Sequence, residues 1–193
     1  MDIIQIKEEL KQVLKPSRYL HSTGVEEVAM DLAAIHGYDM DKAGLAGILH
    51  DCAKHLSDRE LLDECEKYGL PVTDIEKKCA FLLHAKVGAL YARIKYGISD
   101  EDIISAIRFH TTGRPAMSML EKIIFAADYI EPYRKPLPRI DIIREAVYNN
   151  LDLGVFMILD NMLSYLESTS QDIDTLTIDT YKYYKDLLDA HDK

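Results

Sequence analysis

A nearly continuous succession of helical patterns, interrupted by glycine, proline and capping sequences, is the feature that most constrains the fold of this chain. An apolar stripe with helical spacing covers residues 3–14 and stops at Pro16. The sequences Ser-Asp-Arg-Glu at 57–60 and Thr-Asp-Ile-Glu at 73–76 have the form of capping boxes that open helices. Alternating segments rich in Val, Ile and Thr, which are typical of strands, are absent from the sequence. The pattern therefore predicts an all-α fold.

The remaining patterns predict a series of helices that ends near the C-terminus, over residues 25–36, 41–54, 58–69, 74–96, 99–109, 118–130, 140–149, 153–168 and 175–189. Residues 131–138 break this series, because their three prolines cannot lie in one continuous helix. We interpret this proline-rich loop as the rim of a site or as a junction within one fold. No shift in composition marks a second domain, so residues 1–193 are predicted to form a single domain. Its C-terminal helices, about 140–190, are expected to pack on a core of about 18–134.

Composition and charge limit the class of function. Hydrophobic residues make up 48% of the chain, which is typical of a globular protein, and the formal net charge is −10. This charge argues against a general binder of nucleic acid or of anionic membranes, but it leaves room for a small anionic ligand. No apolar run approaches the ~20 residues that span a bilayer, and no signal peptide is evident at the N-terminus. Three cysteines without a paired motif are read as reduced thiols, so we expect a cytoplasmic protein.

Single histidines and aspartates recur along the helical segments in the order H…HD…H…H…D. The residues of this set are His21, His50, Asp51, His84, His110 and Asp128. Together they supply enough imidazoles and carboxylates for two metal ions, and the absence of cysteine from this set argues against a structural zinc site of the thiolate type. Asp51 is the natural bridge, because its two oxygens can hold two ions about 3.5–4 Å apart.

Each of these residues also has an ordinary interpretation when taken alone. His84 follows an apolar run and reads equally as a core histidine, and His110 lies where a histidine interacts with a helix dipole. His21 precedes a predicted helix and reads as a loop residue. Asp128 is different, since it stands within an apolar run where a carboxylate is costly to bury without a cation. The joint occurrence of all six favours a metal centre.

Basic residues stand beside every predicted ligand segment, and they are Arg18, Lys54, Arg114 and Arg134. The polar turn Thr-Thr-Gly at 111–113 offers hydroxyls and backbone N–H groups to a phosphate. Nearby aromatic faces for a nucleobase are Tyr19, Tyr129 and Tyr133, with core packing as the ordinary alternative. An anion-binding pocket around the metal centre is therefore expected.

These residues resemble the HD-domain superfamily of metal-dependent phosphohydrolases. More closely, the chain is similar to the YqeK-type symmetrical diadenosine tetraphosphatases. The resemblance rests on residues 18–21, 48–54, 83–89, 107–113 and 126–134. His-Asp alone is unspecific, whereas His-Thr-Thr-Gly together with Ala-Asp-Tyr-Ile-Glu is much more specific. The resemblance covers most of the chain between residues 18 and 134, and all ligand positions match.

The resemblance implies an HD-domain helical bundle around a dinuclear metal site. It assigns the first ion to His21, His50, Asp51 and Asp128, and the second ion to Asp51, His84 and His110. Iron is the expected metal, with manganese as the alternative. The implied activity is hydrolysis of diadenosine tetraphosphate and related dinucleoside polyphosphates, which gives two ADP from one diadenosine tetraphosphate.

A metal-bridging hydroxide is expected to attack one of the two central phosphorus atoms. The residues predicted to act in catalysis are Asp51, Lys54, Thr111 and Arg114. Lys54 and Arg114 would stabilise charge on the transferring and leaving groups. The residues predicted to contact the nucleotide are Arg18, Lys54, Lys86, Thr111, Thr112, Gly113, Arg114, Tyr133 and Arg134.

Three alternatives stay open at this point. The first is another HD-type hydrolase, acting on (p)ppGpp, cyclic dinucleotides or deoxynucleoside triphosphates. The HD-GYP subtype requires a Gly-Tyr-Pro signature that the sequence lacks, and single-metal (p)ppGpp hydrolases do not need both His84 and His110. The second is a nucleotide sensor without turnover, and the third is a metal-stabilised scaffold whose C-terminal helices bind a protein. The sequence also leaves open whether the chain forms a homodimer.

Overall fold

The fold is known from a computed structural model that describes residues 1–135 and 137–191, so Pro136 of the proline-rich loop lies outside the described residues. Over these ranges the chain forms eleven α-helices, one 3-10 turn and no strand. The helices are α1 Ile3–Val13, α2 Pro16–Ile35, α3 Met40–Leu49, α4 Asp58–Lys67, α5 Asp74–Lys78, α6 Leu83–Ile94, α7 Glu101–Phe109, α8 Met119–Ile130, α9 Ile140–Asn149, α10 Leu151–Ser168 and α11 Thr175–His191. The prediction of an all-α fold is confirmed.

The second helix begins earlier than the sequence pattern predicted. Pro16 ends the preceding apolar stripe, but it also occupies the start of α2, where its missing N–H costs no hydrogen bond. The prediction of a helix beginning at residue 25 was therefore wrong, because proline was read only as a stop signal. As a result His21 lies inside α2, on a rigid element, and not in a loop before it.

Two predicted helices end or break where the sequence gives no signal. The third helix was predicted to continue to Lys54, but α3 ends at Leu49 and the next residues form turns. The predicted helix over 74–96 is divided into α5, a 3-10 turn at Ala80–Leu82 and α6, although no glycine or proline marks the break. Because α3 ends at Leu49, the His50-Asp51 pair lies just after it. Because α6 begins at Leu83, His84 lies in its first turn.

The core lies where α2, α3, α7 and α8 pack together, and α6 covers it on the side of α7. Helices α2 and α3 approach unusually closely at Gly47, where an added Cβ would lie 2.9 Å from Glu26 Cα in α2. Among the C-terminal helices, α10 contacts α8, α9 and α11. The close packing of α2 against α3 brings His21, in α2, close to the C-terminal end of α3.

Across the described residues, no helix combines the length and the apolar character that crossing a bilayer requires.

Candidate metal centre

The six residues of the predicted ligand set come together from five parts of the fold. His21 lies in α2, His50 and Asp51 follow α3, His84 is in α6, His110 follows α7, and Asp128 is in α8. All are buried except Asp128, whose side chain is 21% exposed. Their donor atoms form overlapping groups in which all atoms lie within 4.8 Å of one another.

The two carboxylate oxygens of Asp51 face different histidines. Its Oδ1 lies 3.2 Å from His84 Nε2 and 3.6 Å from His110 Nε2. Its Oδ2 lies 3.6 Å from His50 Nε2 and 3.8 Å from His21 Nε2. Asp51 thus belongs to two donor groups at once, as a carboxylate that bridges two ions must.

The remaining distances complete the first of these groups, which we call cluster A. It consists of His21, His50, Asp51 Oδ2 and Asp128. Asp128 Oδ1 lies 3.1 Å from His21 Nε2 and 3.9 Å from His50 Nε2, and the two histidine Nε2 atoms are 3.2 Å apart. Donors about 2.1 Å from a common ion are about 3.0–3.4 Å apart in octahedral or tetrahedral geometry. Two of the five donor distances in cluster A, 3.1 and 3.2 Å, fit this range, and the other three are longer, at 3.6–3.9 Å.

The second group, cluster B, consists of Asp51 Oδ1, His84 and His110. The Nε2 atoms of His84 and His110 are 3.1 Å apart. Thr111 Oγ1 borders this cluster, at 3.2 Å from His110 Nε2 and 3.4 Å from His84 Nε2. Cluster B therefore has three protein donors against four in cluster A, with a hydroxyl at its edge.

The ring orientation of the four histidines has two different origins. His50, His84 and His110 each direct Nδ1 to the backbone carbonyl of the residue three positions earlier, at 2.7 Å for His50 and His110. With Nδ1–H donating there, Nε2 is left free to bind a metal. In His21, Nδ1 instead lies 2.9 Å from Glu131 Oε1. Sequence reasoning missed Glu131, because no spacing relates it to a histidine 110 positions away.

The protonation states of His50 and Asp51 are those that metal ligands need. Burial lowers the pKa of His50 to about 4, so its imidazole is neutral at neutral pH. Burial alone would raise the pKa of Asp51, but the imidazoles of His50, His110 and His84 outweigh burial and hold that pKa well below its usual range. Metal binding requires neutral imidazoles and ionised carboxylates, so this environment favours it.

His21 and Asp128 shift each other's pKa values. Burial lowers the pKa of His21, but contacts with Asp128 and Glu131 outweigh it, and the pKa is raised overall. Burial raises the pKa of Asp128, but His21 and Arg134 outweigh it and hold the pKa well below its usual range. Asp128 therefore stays an anionic member of cluster A.

Three of the predicted basic residues contact the predicted ligand residues themselves. Arg18 Nη1 lies 3.0 Å from Asp51 Oδ2, and Arg134 Nη2 lies 2.7 Å from Asp128 Oδ1. Lys54 Nζ lies 3.1 Å from both ring nitrogens of His84, and burial lowers the pKa of this lysine. These cations place positive charge beside clusters A and B, although the net charge of the chain is −10.

A cavity of about 290 Å³ adjoins cluster B, and Thr111, Thr112 and Lys86 are part of its wall. Lys86 is held there by Glu76, at 2.8 Å, and by the carbonyl oxygen of Pro71, at 2.6 Å. The same wall contains Arg108, which sequence reasoning did not select because a lone arginine on a helix carries no signal.

The other predicted residues lie farther from the ligand atoms. Arg114 Nε binds Glu121 Oε1 at 2.9 Å, and the exposed ring of Tyr133 lies against Gly24. Gly113 has a φ of +64°, and a Cβ there would lie 2.8 Å from Thr180 Cγ2, so a turn and packing against α11 both account for this glycine. The roles predicted for Arg114, Tyr133 and Gly113 stay predictions.

Comparisons with known proteins agree with this geometry. The family described as HD domain matches residues 18–133. The chain is 44% identical over 174 residues to a Halalkalibacterium halodurans protein named bis(5′-nucleosyl)-tetraphosphatase, symmetrical, with 88% of this chain and 92% of that protein covered. It is 38% identical over 186 residues to a protein of the same name from Staphylococcus aureus, with 95% of each covered.

A solved structure from Clostridium acetobutylicum, described as a predicted HD superfamily hydrolase involved in NAD metabolism, has the same fold. It matches with a TM-score of 0.93 at 38% identity, over 96% of this chain and 98% of that one. The matched segment 18–133 contains all six residues of clusters A and B. The chain therefore belongs to the HD-domain family, and within it to the group of symmetrical bis(5′-nucleosyl)-tetraphosphatases.

Proposed function

We propose that this protein is a metal-dependent hydrolase that splits diadenosine tetraphosphate, and related dinucleoside polyphosphates, into two nucleoside diphosphates. The observation that carries the proposal is the placement of Asp51, with one oxygen in each of two histidine clusters. Its relatives' names, which specify symmetrical cleavage of bis(5′-nucleosyl) tetraphosphates, support the choice of substrate. The cytoplasm is the proposed location, in keeping with three free cysteines in the described structure.

The donors in clusters A and B fit two ions of a metal that prefers imidazole and carboxylate ligands. This preference is shared by iron and manganese, and we propose iron as the first choice. When bound, the ions would withdraw charge from a phosphoryl oxygen and lower the pKa of a nearby water. Arg18, Lys54 and Arg134 would then be released from the ligands to meet the phosphates of the substrate.

The substrate carries about four negative charges between its two nucleosides, so neutralising this charge is the main task of the pocket. Lys54 lies beside cluster B and Arg18 and Arg134 lie beside cluster A, so cations border both sides of the bridging carboxylate. Thr111 borders cluster B and is placed to donate its hydroxyl to a phosphate oxygen. The predicted contacts of Lys86, Thr112, Gly113, Arg114 and Tyr133 belong to this proposal.

The proposed reaction breaks the central anhydride. The oxygen of water bonds to one central phosphorus, and the bridging oxygen leaves on the other ADP with the electron pair of the broken bond. ADP is a good leaving group, so the reaction does not depend on a strong general acid. Diadenosine tetraphosphate and one water thus give two ADP.

Product analysis tests this activity directly. We expect the protein with added iron or manganese to convert diadenosine tetraphosphate to ADP alone, and we expect a chelator to abolish the conversion. Chromatographic separation of the nucleotides measures both, with ppGpp and a deoxynucleoside triphosphate as parallel substrates. Formation of AMP and ATP would contradict symmetrical cleavage. Faster turnover of ppGpp or of the deoxynucleoside triphosphate would contradict the assignment of diadenosine tetraphosphate as the substrate.

Lys54→Met should lower turnover by about a hundredfold and leave the metal content unchanged, because it removes a charge that serves the phosphates and keeps the apolar stem. Metal analysis and steady-state kinetics measure the two effects. Lys122→Met is the control. Lys122 Nζ forms an ion pair with Asp152 Oδ1 at a distance of 2.8 Å, and this pair lies away from the ligand residues. Loss of metal in the Lys54 variant would show that this lysine supports the ligands and has no phosphate role.

A further inference from the structure

His21 is the one ligand histidine in the described structure whose ring is oriented by a carboxylate. The other three use backbone carbonyls in their own chain segment, whereas His21 uses Glu131 Oε1 at 2.9 Å. Glu131 is 1% exposed and follows directly after α8. A buried carboxyl group therefore serves cluster A, and cluster B has no such partner among the described residues.

Both oxygens of Glu131 are engaged. Oε1 faces His21 Nδ1, and Oε2 accepts the backbone N–H of Tyr133 at 2.6 Å. The carboxylate is thus tied to the proline-rich loop on one side and to α2 on the other. A glutamine has one acceptor oxygen and one NH₂ group, so at this position it can accept only one of the two N–H donors.

The approach of Glu131 to α2 requires a glycine. Gly24 lies one turn after His21 in α2, and an added Cβ would lie 2.7 Å from Glu131 Oε2 and 2.8 Å from Tyr133 Cδ2. Both of these atoms belong to side chains. A methyl group at residue 24 would therefore displace the carboxylate and the tyrosine ring while leaving the helix backbone in place.

We propose that Glu131, held by the Tyr133 N–H and admitted by Gly24, is a positioning residue that sets the metal affinity of cluster A and leaves cluster B unaffected. The proposal rests on the metal dependence proposed above. A carboxylate that accepts from Nδ1–H fixes the ring and increases the basicity of Nε2, and losing such a partner typically weakens metal binding about 10–100-fold. Both ions share Asp51, but only the ion in cluster A depends on Glu131.

Stepwise metal titration tests the proposal. Metal-free protein is titrated with Mn²⁺, the two binding steps are followed by calorimetry and electron paramagnetic resonance, and the Tm of each metal-free variant is recorded. Glu131→Gln should weaken one step about 10–100-fold and leave the other unchanged. Gly24→Ala should weaken the same step, although it leaves the carboxylate chemically intact.

Two variants serve as controls for a purely structural effect. Glu26→Gln removes a different buried carboxylate, which lies in α2 and pairs with Lys7 at 2.7 Å, and Gly44→Ala adds a methyl group whose nearest neighbours are the side chains of Met30 and Glu26. Neither should change the ratio of the two affinities. Equal weakening of both steps by Glu131→Gln, or the same selective loss in Glu26→Gln, overturns the proposal.

The wild-type titration separates this proposal from the proposed activity. A single binding step overturns the Glu131 proposal, because no second ion would then be spared. Two binding steps without any hydrolysis of diadenosine tetraphosphate would refute the activity, while selective weakening by Glu131→Gln would still support the positioning role.

Discussion

Asp51→Asn is expected to release both metal ions and to lower turnover by about a thousandfold or more. Asparagine keeps the shape of the side chain but offers one oxygen and an NH₂ group, which binds no metal. Since Oδ1 faces cluster B and Oδ2 faces cluster A, either orientation of the amide deprives one cluster of its donor and both of the bridging charge. Losing metal catalysis removes about 4 kcal/mol or more of transition-state stabilisation.

Metal analysis of the purified variant and single-turnover kinetics check this prediction. Asp128→Asn is the matched comparison, because the two imidazoles nearest to Asp128 Oδ1, those of His21 and His50 at 3.1 Å and 3.9 Å, both belong to cluster A. We expect it to lose one ion and to retain the other. Two retained ions in Asp51→Asn would show that Asp51 does not bridge, and equal losses in the two variants would remove the distinction between the clusters.

Gly47→Ala is expected to destabilise the protein by about 2 kcal/mol, which corresponds to a fall in Tm of about 4–8 °C. A Cβ at residue 47 would lie 2.9 Å from Glu26 Cα and 3.1 Å from Val25 O, so it meets the backbone of α2, which cannot rotate away. Helices α2 and α3 must therefore separate. Because these helices position His21 and His50, metal affinity should fall together with stability.

Thermal unfolding of the metal-free protein measures the stability change, and a metal titration measures the second effect. Gly44→Ala is the control, since it lies one turn earlier on the same helix and its Cβ would meet the flexible side chain of Met30 at 3.0 Å. It should change Tm far less than Gly47→Ala. An unchanged Tm in Gly47→Ala would mean that the close contact of α2 with α3 is not required for the fold.

The sequence predicted the helical class and selected the residues that meet at the centre, because both leave local signals. Helical spacing and capping boxes are written within a few residues, and an aspartate within an apolar run, such as Asp128, is unusual wherever it lies. The grouping into two clusters came only from the family resemblance. Only the fold shows which Asp51 oxygen faces which histidines.

The features that the sequence did not predict depend on contacts between distant segments or on weak local preferences. Glu131 reads as a polar residue before a proline, and its bond to His21 exists only because α8 ends beside α2. The start of α2 was missed because Pro16 both ends one pattern and begins another. The break after Cys79 has no glycine or proline to signal it, so the longer helix was the reasonable expectation.

The hydrogen bonds from His50, His84 and His110 to carbonyls three residues earlier have a consequence for the kinetics of metal exchange. Each of these rings is locked by its own turn of the chain, so its rotamer entropy is lost on folding and not when an ion arrives. An ion that left cluster B would thus vacate two imidazoles that keep their directions, and rebinding would require no search among their side-chain conformations. The His21 ring is oriented by Glu131, which lies 110 positions later in the chain. Its orientation therefore depends on the whole domain being folded.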